Sequence, residues 1–321
     1  MHDEYQDRPR GRNFELAHFH PTFTVQEYRN RERKSAGMLL NVRGWGEAKG
    51  ECIVCVHGLT QHGGVFEALA ERLVPHGYSV LSVDLRGHGG SGHEPPWDTG
   101  SHVRDLLETL ASRGVGRVVW IGHSFGGRVV AAAAAASEGL TDALVLLDPG
   151  LGEMSPARAL QGAELDRLDW SFETPAGAIN ALLGGSGAIA TSHETVAAYV
   201  EEDLKRGEDG RYRFSFCPSA VVAAWSEMSR PVPPIVAVPT LVVCAEEPLF
   251  TSPLQERYRA RLGSRLSMVR VPNGHNVLWE SAEETAGAIE AFLGGTRDCR
   301  GWRADPIEGY LDADGLRQPL L

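Results

Sequence analysis

No apolar run in this chain approaches the roughly twenty residues that a membrane-spanning helix requires. The first twelve residues are charged and lack an apolar stretch ahead of a small-residue cleavage site, so no secretory signal is expected. Basic residues are outnumbered, and a net charge of −11 without any basic stripe excludes an ordinary nucleic-acid surface. The glycine fingerprint of a dinucleotide site is missing. The Gly-Gly-Ser-Gly stretch at 184–187 is not followed by Lys and Ser or Thr, which excludes a phosphate-binding P-loop. Cysteine is scarce and odd in number, at five. Cys52 and Cys55 form a C-x-x-C, but within a strand residues three apart face opposite sides, which spoils a metal site or a redox pair. They read as packing residues in a reducing cytoplasm. No carboxylate or second pair supports a metal reading of His18 and His20, so no metal and no cofactor are implied.

What remains is a chain with 42% hydrophobic residues, enough for a large core built as one domain or as a core plus an insertion. Apolar patterning alternates strand and helix. Strands are expected at 22–28, 38–43, 51–56, 79–83, 118–121 and 143–147, with helices at 65–74 and 103–110. A second block follows, with strands at 240–244 and 266–271 and helices at 253–262 and 282–293. Such alternation implies an α/β fold, a mostly parallel central sheet with helices on both faces. Residues 151–235 interrupt it without a clear strand pattern. Helical pieces are expected there at 156–168, 175–183 and 194–205, and Pro231-Val232-Pro233-Pro234 forms a stiff exit. An insertion this long is too long for a bare loop and reads as a helical lid. The expected domains are therefore a core of 14–150 and 236–295, a lid of 151–235 and a tail of 296–321. Residues 1–13 read as a polar arm, and Asp312-Ala313-Asp314-Gly315 as a turn.

Gly122-His123-Ser124-Phe125-Gly126 stands between an apolar strand and an alanine-rich helix. Strand, sharp turn and helix form the context in which G-x-S-x-G raises a serine above a sheet edge. Its glycines suit a strained, crowded turn, and the amide after Ser124 falls at a helix N-terminus. A serine hydroxyl needs an adjacent base to become a nucleophile. Of twelve histidines, His275 lies in a glycine-containing loop after a strand and before a helix, near the C-terminus. His57 reads as shaping the loop it sits in, His123 as locked beside Ser124, and His88, His93 and His102 as loop residues.

Four segments in order carry a resemblance. They are His57-Gly58-Leu59, then Asp84-Leu85-Arg86-Gly87-His88-Gly89-Gly90-Ser91, then Gly122-His123-Ser124-Phe125-Gly126-Gly127, then Pro272-Asn273-Gly274-His275. Together they resemble the α/β-hydrolase fold superfamily, of the lid-bearing esterase, lactonase and carbon–carbon hydrolase type, over residues 20–295. The resemblance implies Ser124 as nucleophile, His275 as base, and the backbone N–H groups of Leu59 and Phe125 as the oxyanion hole. A serine at 124 speaks against the relatives that place Asp there.

The acid departs from the common pattern. Gly-x-x-Asp is usual after the strand that follows the lid, but this chain reads Cys244-Ala245-Glu246-Glu247-Pro248. Ungapped, Pro248 takes the acid's place; a one-residue deletion offers Glu247. The other candidate is Asp148, which ends the strand after Ser124 at the carboxyl edge, where α/β sites form. Asp148 is preferred over Glu247, and Asp84 is read as a brace for the Arg86 loop. Trp170, Phe172, Trp225 and Trp279, with Trp97, fall in the lid or in loops at the mouth of the site. They are candidate pocket residues, although each alone would equally pack lid on core. The partner expected is a small molecule, not nucleic acid or a membrane. The reading is a cytoplasmic serine hydrolase of a carboxylic ester or lactone of a small, largely apolar molecule. A carbon–carbon hydrolase or thioesterase on the same triad, or a non-catalytic small-molecule receptor, is the alternative.

Overall fold

The computed structural model describes residues 37–47, 51–152, 154–166, 170–184 and 190–300. The expected polar arm, the strand at 22–28, His18, His20, most of the glycine break and the 312–315 turn lie outside the described residues.

Seven strands form one sheet: β1 Val42–Trp45, β2 Glu51–Val56, β3 Tyr78–Val83, β4 Val118–His123, β5 Thr141–Leu147 and, after an insertion, two more, Thr240–Cys244 and Leu266–Arg270. The insertion holds three strands of two residues each, β6 Ser171–Phe172, β7 Lys205–Arg206 and β8 Tyr212–Arg213, so the last two core strands are β9 and β10. The order is β1-β3-β2-β4-β5-β9-β10, and every pairing is parallel except that of β1 with β3. β4 is buried along its whole length, as a parallel strand covered on both faces must be.

The helices are α1 Glu67–Leu73, α2 Thr99–Ser112, α3 Phe125–Ala136, α4 Pro156–Asp166, α5 Pro175–Gly184, α6 His193–Asp203, α7 Pro218–Glu227, α8 Ser252–Leu262, α9 Val277–Glu280 and α10 Ala282–Arg300. Alternating strand residues separate two apolar layers. Ile53, Cys55, Val119, Ile121, Val145 and Leu147 meet Leu69 and Leu73 of α1 and Ile289 and Leu293 of α10. Val54, Val56, Trp120, Leu144 and Leu146 meet Leu106 of α2, Val129 and Ala133 of α3 and Tyr258 of α8. Helices thus cover both faces. Cys52 and Cys55 fall on opposite faces, and Cys52, Cys55, Cys217 and Cys244 are all free.

Three expectations need correction. The first edge strand is Val42–Trp45 rather than 38–43, because its register is set by pairing with β3, Val42 opposite Val83. Residues 151–235 are not purely helical. They also carry the β6-β8-β7 sheet, whose two-residue strands are too short to show alternation. The β7–β8 hairpin did have a signal, Asp209-Gly210, with Gly210 at φ 78°. Helix α7 belongs to the insertion too and was not expected. Finally, α10 continues to Arg300, into the stretch expected as a tail of 296–321.

Candidate active site

The elbow is built by close approach. A Cβ on Gly126 would stand 2.2 Å from the Val56 carbonyl oxygen, and one on Gly122 would stand 2.5 Å from that of Gly126. Only glycine lets α3 start this near the ends of β2 and β4. Ser124 sits between them at φ 53°, ψ −120°, outside the regions L-residues favour. The Ser124 N–H donates to Leu147 O at 3.0 Å, and Ser124 O accepts from Gly127 N and Gly150 N, which holds the turn. Among the described residues the non-glycines at positive φ are Thr60, Ser124, Asp148 and Asn273. Each belongs to a different loop of this one site, where backbone strain is commonly stored.

His275 bridges two of the other groups. Its Nδ1 lies 2.6 Å from Asp148 Oδ2 and its Nε2 lies 2.8 Å from Ser124 Oγ. A carboxylate only accepts, so Asp148 holds the proton on Nδ1 and leaves the Nε2 lone pair facing the serine hydroxyl. Asp148 is fully buried and Ser124 nearly so, whereas the His275 side chain is partly open. Asp148 Oδ1 accepts from the amides of Leu249 at 3.2 Å and Ala245 at 3.4 Å. The loop after β9 therefore contributes N–H groups, while its Glu247 is exposed and makes no hydrogen bond with His275. The structure brings Asp148 to His275 and leaves Glu247 outside.

His57 is buried with Nδ1 2.7 Å from Gly58 O, and its Nε2 accepts from Leu85 N at 2.9 Å. The Leu85 donor fixes the tautomer, so Nδ1–H donates to the Gly58 carbonyl. Across a trans peptide the Leu59 N–H then points away from the His57 ring. Burial lowers the His57 pKa to about 4, so the ring stays neutral. The Phe125 N–H is the first of α3 and has no intrahelical acceptor. His123 has Nε2 2.9 Å from the His275 carbonyl and Nδ1 3.1 Å from Gln61 Oε1; burial lowers its pKa to about 3, and the neutral ring donates at one of the two. Gln61 also accepts from Gly58 N and donates to Asn276. Neither Gln61 nor Asn276 belongs to a motif, so nothing in the sequence singled them out.

Asp84 does serve as a brace, but of a wider set. It accepts from Gly63 N, Gly90 N and Asn41 Nδ2, while Arg86 is held by a bidentate pair with Asp105 at 2.6 Å for each bond. The aromatic candidates are dispersed. Trp170 meets Phe214 and Phe216 edge-on, Phe172 meets Phe214, and Trp279 meets Tyr199. Trp279 also lines a pocket of about 460 Å³ with Tyr199, Leu278 and Val65, which Ser124 does not line. Trp225 lies against Gly162 and so packs α7 on α4. Among the described residues no group of His, Cys, Asp and Glu is arranged to hold a metal, and no helix is long and apolar enough to cross a membrane.

A mostly parallel sheet with a serine-bearing elbow after its central strand and a histidine loop after its last strand defines a hydrolase-type α/β fold. Residues 53–288 match the family model described as the alpha/beta hydrolase family, and the chain belongs to that family. It is 33% identical to Lipase LipV of Mycobacterium tuberculosis, over 79% of this chain and 98% of that one. It is 28% identical to Esterase YbfF of Escherichia coli, over 75% and 92%. The crystal structure of E-2-(acetamidomethylene)succinate hydrolase superposes with a TM-score of 0.68 at 26% identity, covering 79% of this chain and 95% of the other.

Proposed function

We propose that the chain is a serine hydrolase that cleaves a carboxylic ester or lactone of a small, largely apolar molecule. The observation that carries this is the Asp148–His275–Ser124 hydrogen-bond chain, with both contacts under 3 Å. Ser124 Oγ attacks the carbonyl carbon as its proton passes to His275 Nε2. The oxygen that becomes negative is met by the N–H groups of Phe125 and Leu59. Asp148 stabilises the imidazolium and fixes its ring. Collapse of the tetrahedral intermediate returns the proton to the leaving alcohol. In a lactone the same oxygen stays tethered. Water, deprotonated by His275, then releases the acid and restores Ser124.

Residues 151–235 are read as a cap that selects the substrate, with Trp170 and Phe172 in its aromatic cluster and Trp279 packed against its Tyr199. The lipase and esterase names of the two curated relatives support an ester over other acyl compounds. The four free cysteines fit a reducing, cytoplasmic setting. A fluorophosphonate probe should label the protein once, and Ser124→Ala should abolish labelling. Undiminished labelling of that variant would overturn the nucleophile assignment and favour a non-catalytic receptor.

A further inference from the structure

Arg128 lies one turn along α3 from Ser124 and is buried. Among the described residues its guanidinium has no carboxylate in direct contact. Nη1 donates to Leu151 O, on the chain entering the insertion, and lies 3.5 Å from Arg230 O; Nη2 donates to Pro231 O at 3.1 Å, on the chain leaving it. Nε donates to Thr99 Oγ1 at 3.0 Å. Thr99 in turn gives its N–H and its hydroxyl to Glu227 Oε2, at 2.9 and 2.7 Å, at the end of the insertion's last helix. Glu227 Oε1 pairs with Arg230 Nε at 2.6 Å, and Met154 N donates to Met228 O at 3.2 Å. Gly152 takes φ 134°, and a Cβ there would stand 2.4 Å from Arg230 O and 2.7 Å from Arg128 Nη1. Both stems thus converge on one buried cation.

We propose that Arg128 is a positioning residue that fastens both stems of the insertion to the helix carrying Ser124, and so sets which substrates the site accepts. Three carbonyls from irregular, proline-flanked chain need a donor, and one planar fork reaches all of them at once. Lysine has the charge without the span. The buried charge is balanced through Thr99 by Glu227, so the fastener also reads the end of α7. This rests on the reading of residues 151–235 as the substrate-selecting cap.

The test is Arg128→Lys, with Thr99→Val as a second variant that leaves the guanidinium in place but removes its Nε acceptor. Amide exchange of Gly152, Met154, Ser229 and Arg230 should accelerate together by about tenfold in Arg128→Lys, and less in Thr99→Val. KM for a bulky aromatic ester should rise about fivefold, with kcat for an acetate ester within about twofold of wild type. The wild-type chain supplies an arm free of variants, in which amides of both stems should share one opening rate. Unchanged exchange, or acceleration in one stem only, overturns the proposal. So does an equal loss on both esters, which would place Arg128 in support of the elbow rather than of selection. Exchange needs no turnover, so a failure of the hydrolase reading would appear separately, as an unlabelled wild-type Ser124.

Discussion

Asp148 stands where two loops compete for His275. β5 and β9 are adjacent and parallel, with Leu147 opposite Val243, so the loops that leave them lie side by side at the carboxyl edge. A carboxylate from either could meet the same imidazole. Here the loop after β5 supplies the carboxylate that bonds His275, and the loop after β9 supplies the amides that hold it. Asp148→Asn keeps the shape but loses the charge that stabilises the imidazolium, so hydrolysis should fall by up to about 10⁴-fold. Glu247→Gln should cost less than about twofold, since Glu247 is exposed and does not bond His275. Steady-state rates on an activated ester, with folding checked by circular dichroism, decide the matter. A crippled Glu247→Gln beside an intact Asp148→Asn would reverse the assignment. Ser124 and His275 were legible because their constraints are local, glycines crowding a turn and a loop between a strand and a helix. The contact of Asp148 with His275 was only half legible, because strand adjacency is a tertiary fact.

Among the elements, the central strands were read nearly to the residue, since continuous apolar runs bounded by polar loops have few other uses in an α/β chain. Residues 51–56 and 240–244 coincide with β2 and β9. The insertion was read less well. Its helices α4, α5 and α6 were found within a few residues, whereas α7 and the β6-β8-β7 sheet were missed. Those short strands are held by their surroundings. Arg211 bonds Ser171, and Phe214 stacks on Phe216 at 6.3 Å. That aromatic cluster is continuous with the apolar layer on one face of the sheet. Trp170→Ala and Phe172→Ala should raise KM for a bulky aromatic ester by about tenfold and change acetate-ester turnover by less than about threefold. Equal losses on the two esters would make the cluster part of the catalytic scaffold instead.

Taken over the whole chain, the buried histidines dominate the acid response. Burial lowers His57 and His102 to about 4 and His88 and His123 to about 3. Unfolded, each would titrate near its ordinary value of about 6.5. Below that pH the unfolded chain binds protons that the folded chain refuses, so folding stability falls as pH falls. The slope approaches about 1.4 kcal/mol per pH unit for each ring until the folded value is reached. Asp203 and Glu108 have pKa values raised by burial and act in the opposite sense, but only near the carboxyl range. Asp84 and Asp98, held low chiefly by hydrogen bonds against a burial penalty, add a further loss at still lower pH. Urea unfolding at pH 7 and pH 5 should therefore differ by at least about 3 kcal/mol. A stability flat across that interval would mean that some of these rings are charged in the fold. None of this was legible beforehand, because the sequence counts histidines without saying which are dry.

Pro149 and Gly150 separate the acid from the entry stem by only two residues, yet Gly150 N is tied to Ser124 O at 2.8 Å and Asp148 N to Val243 O at 2.7 Å. Those two bonds work as a firebreak. At the entry, strain from chain beyond Gly150 meets those two bonds before it reaches Asp148; elsewhere the insertion still touches the core, through Arg128 and through Tyr199 Oη, which donates to Thr60 O at 3.1 Å. A segment exchanged between Gly152 and Arg230 would therefore need matching contacts to Arg128 and Thr60 to leave the elbow undisturbed.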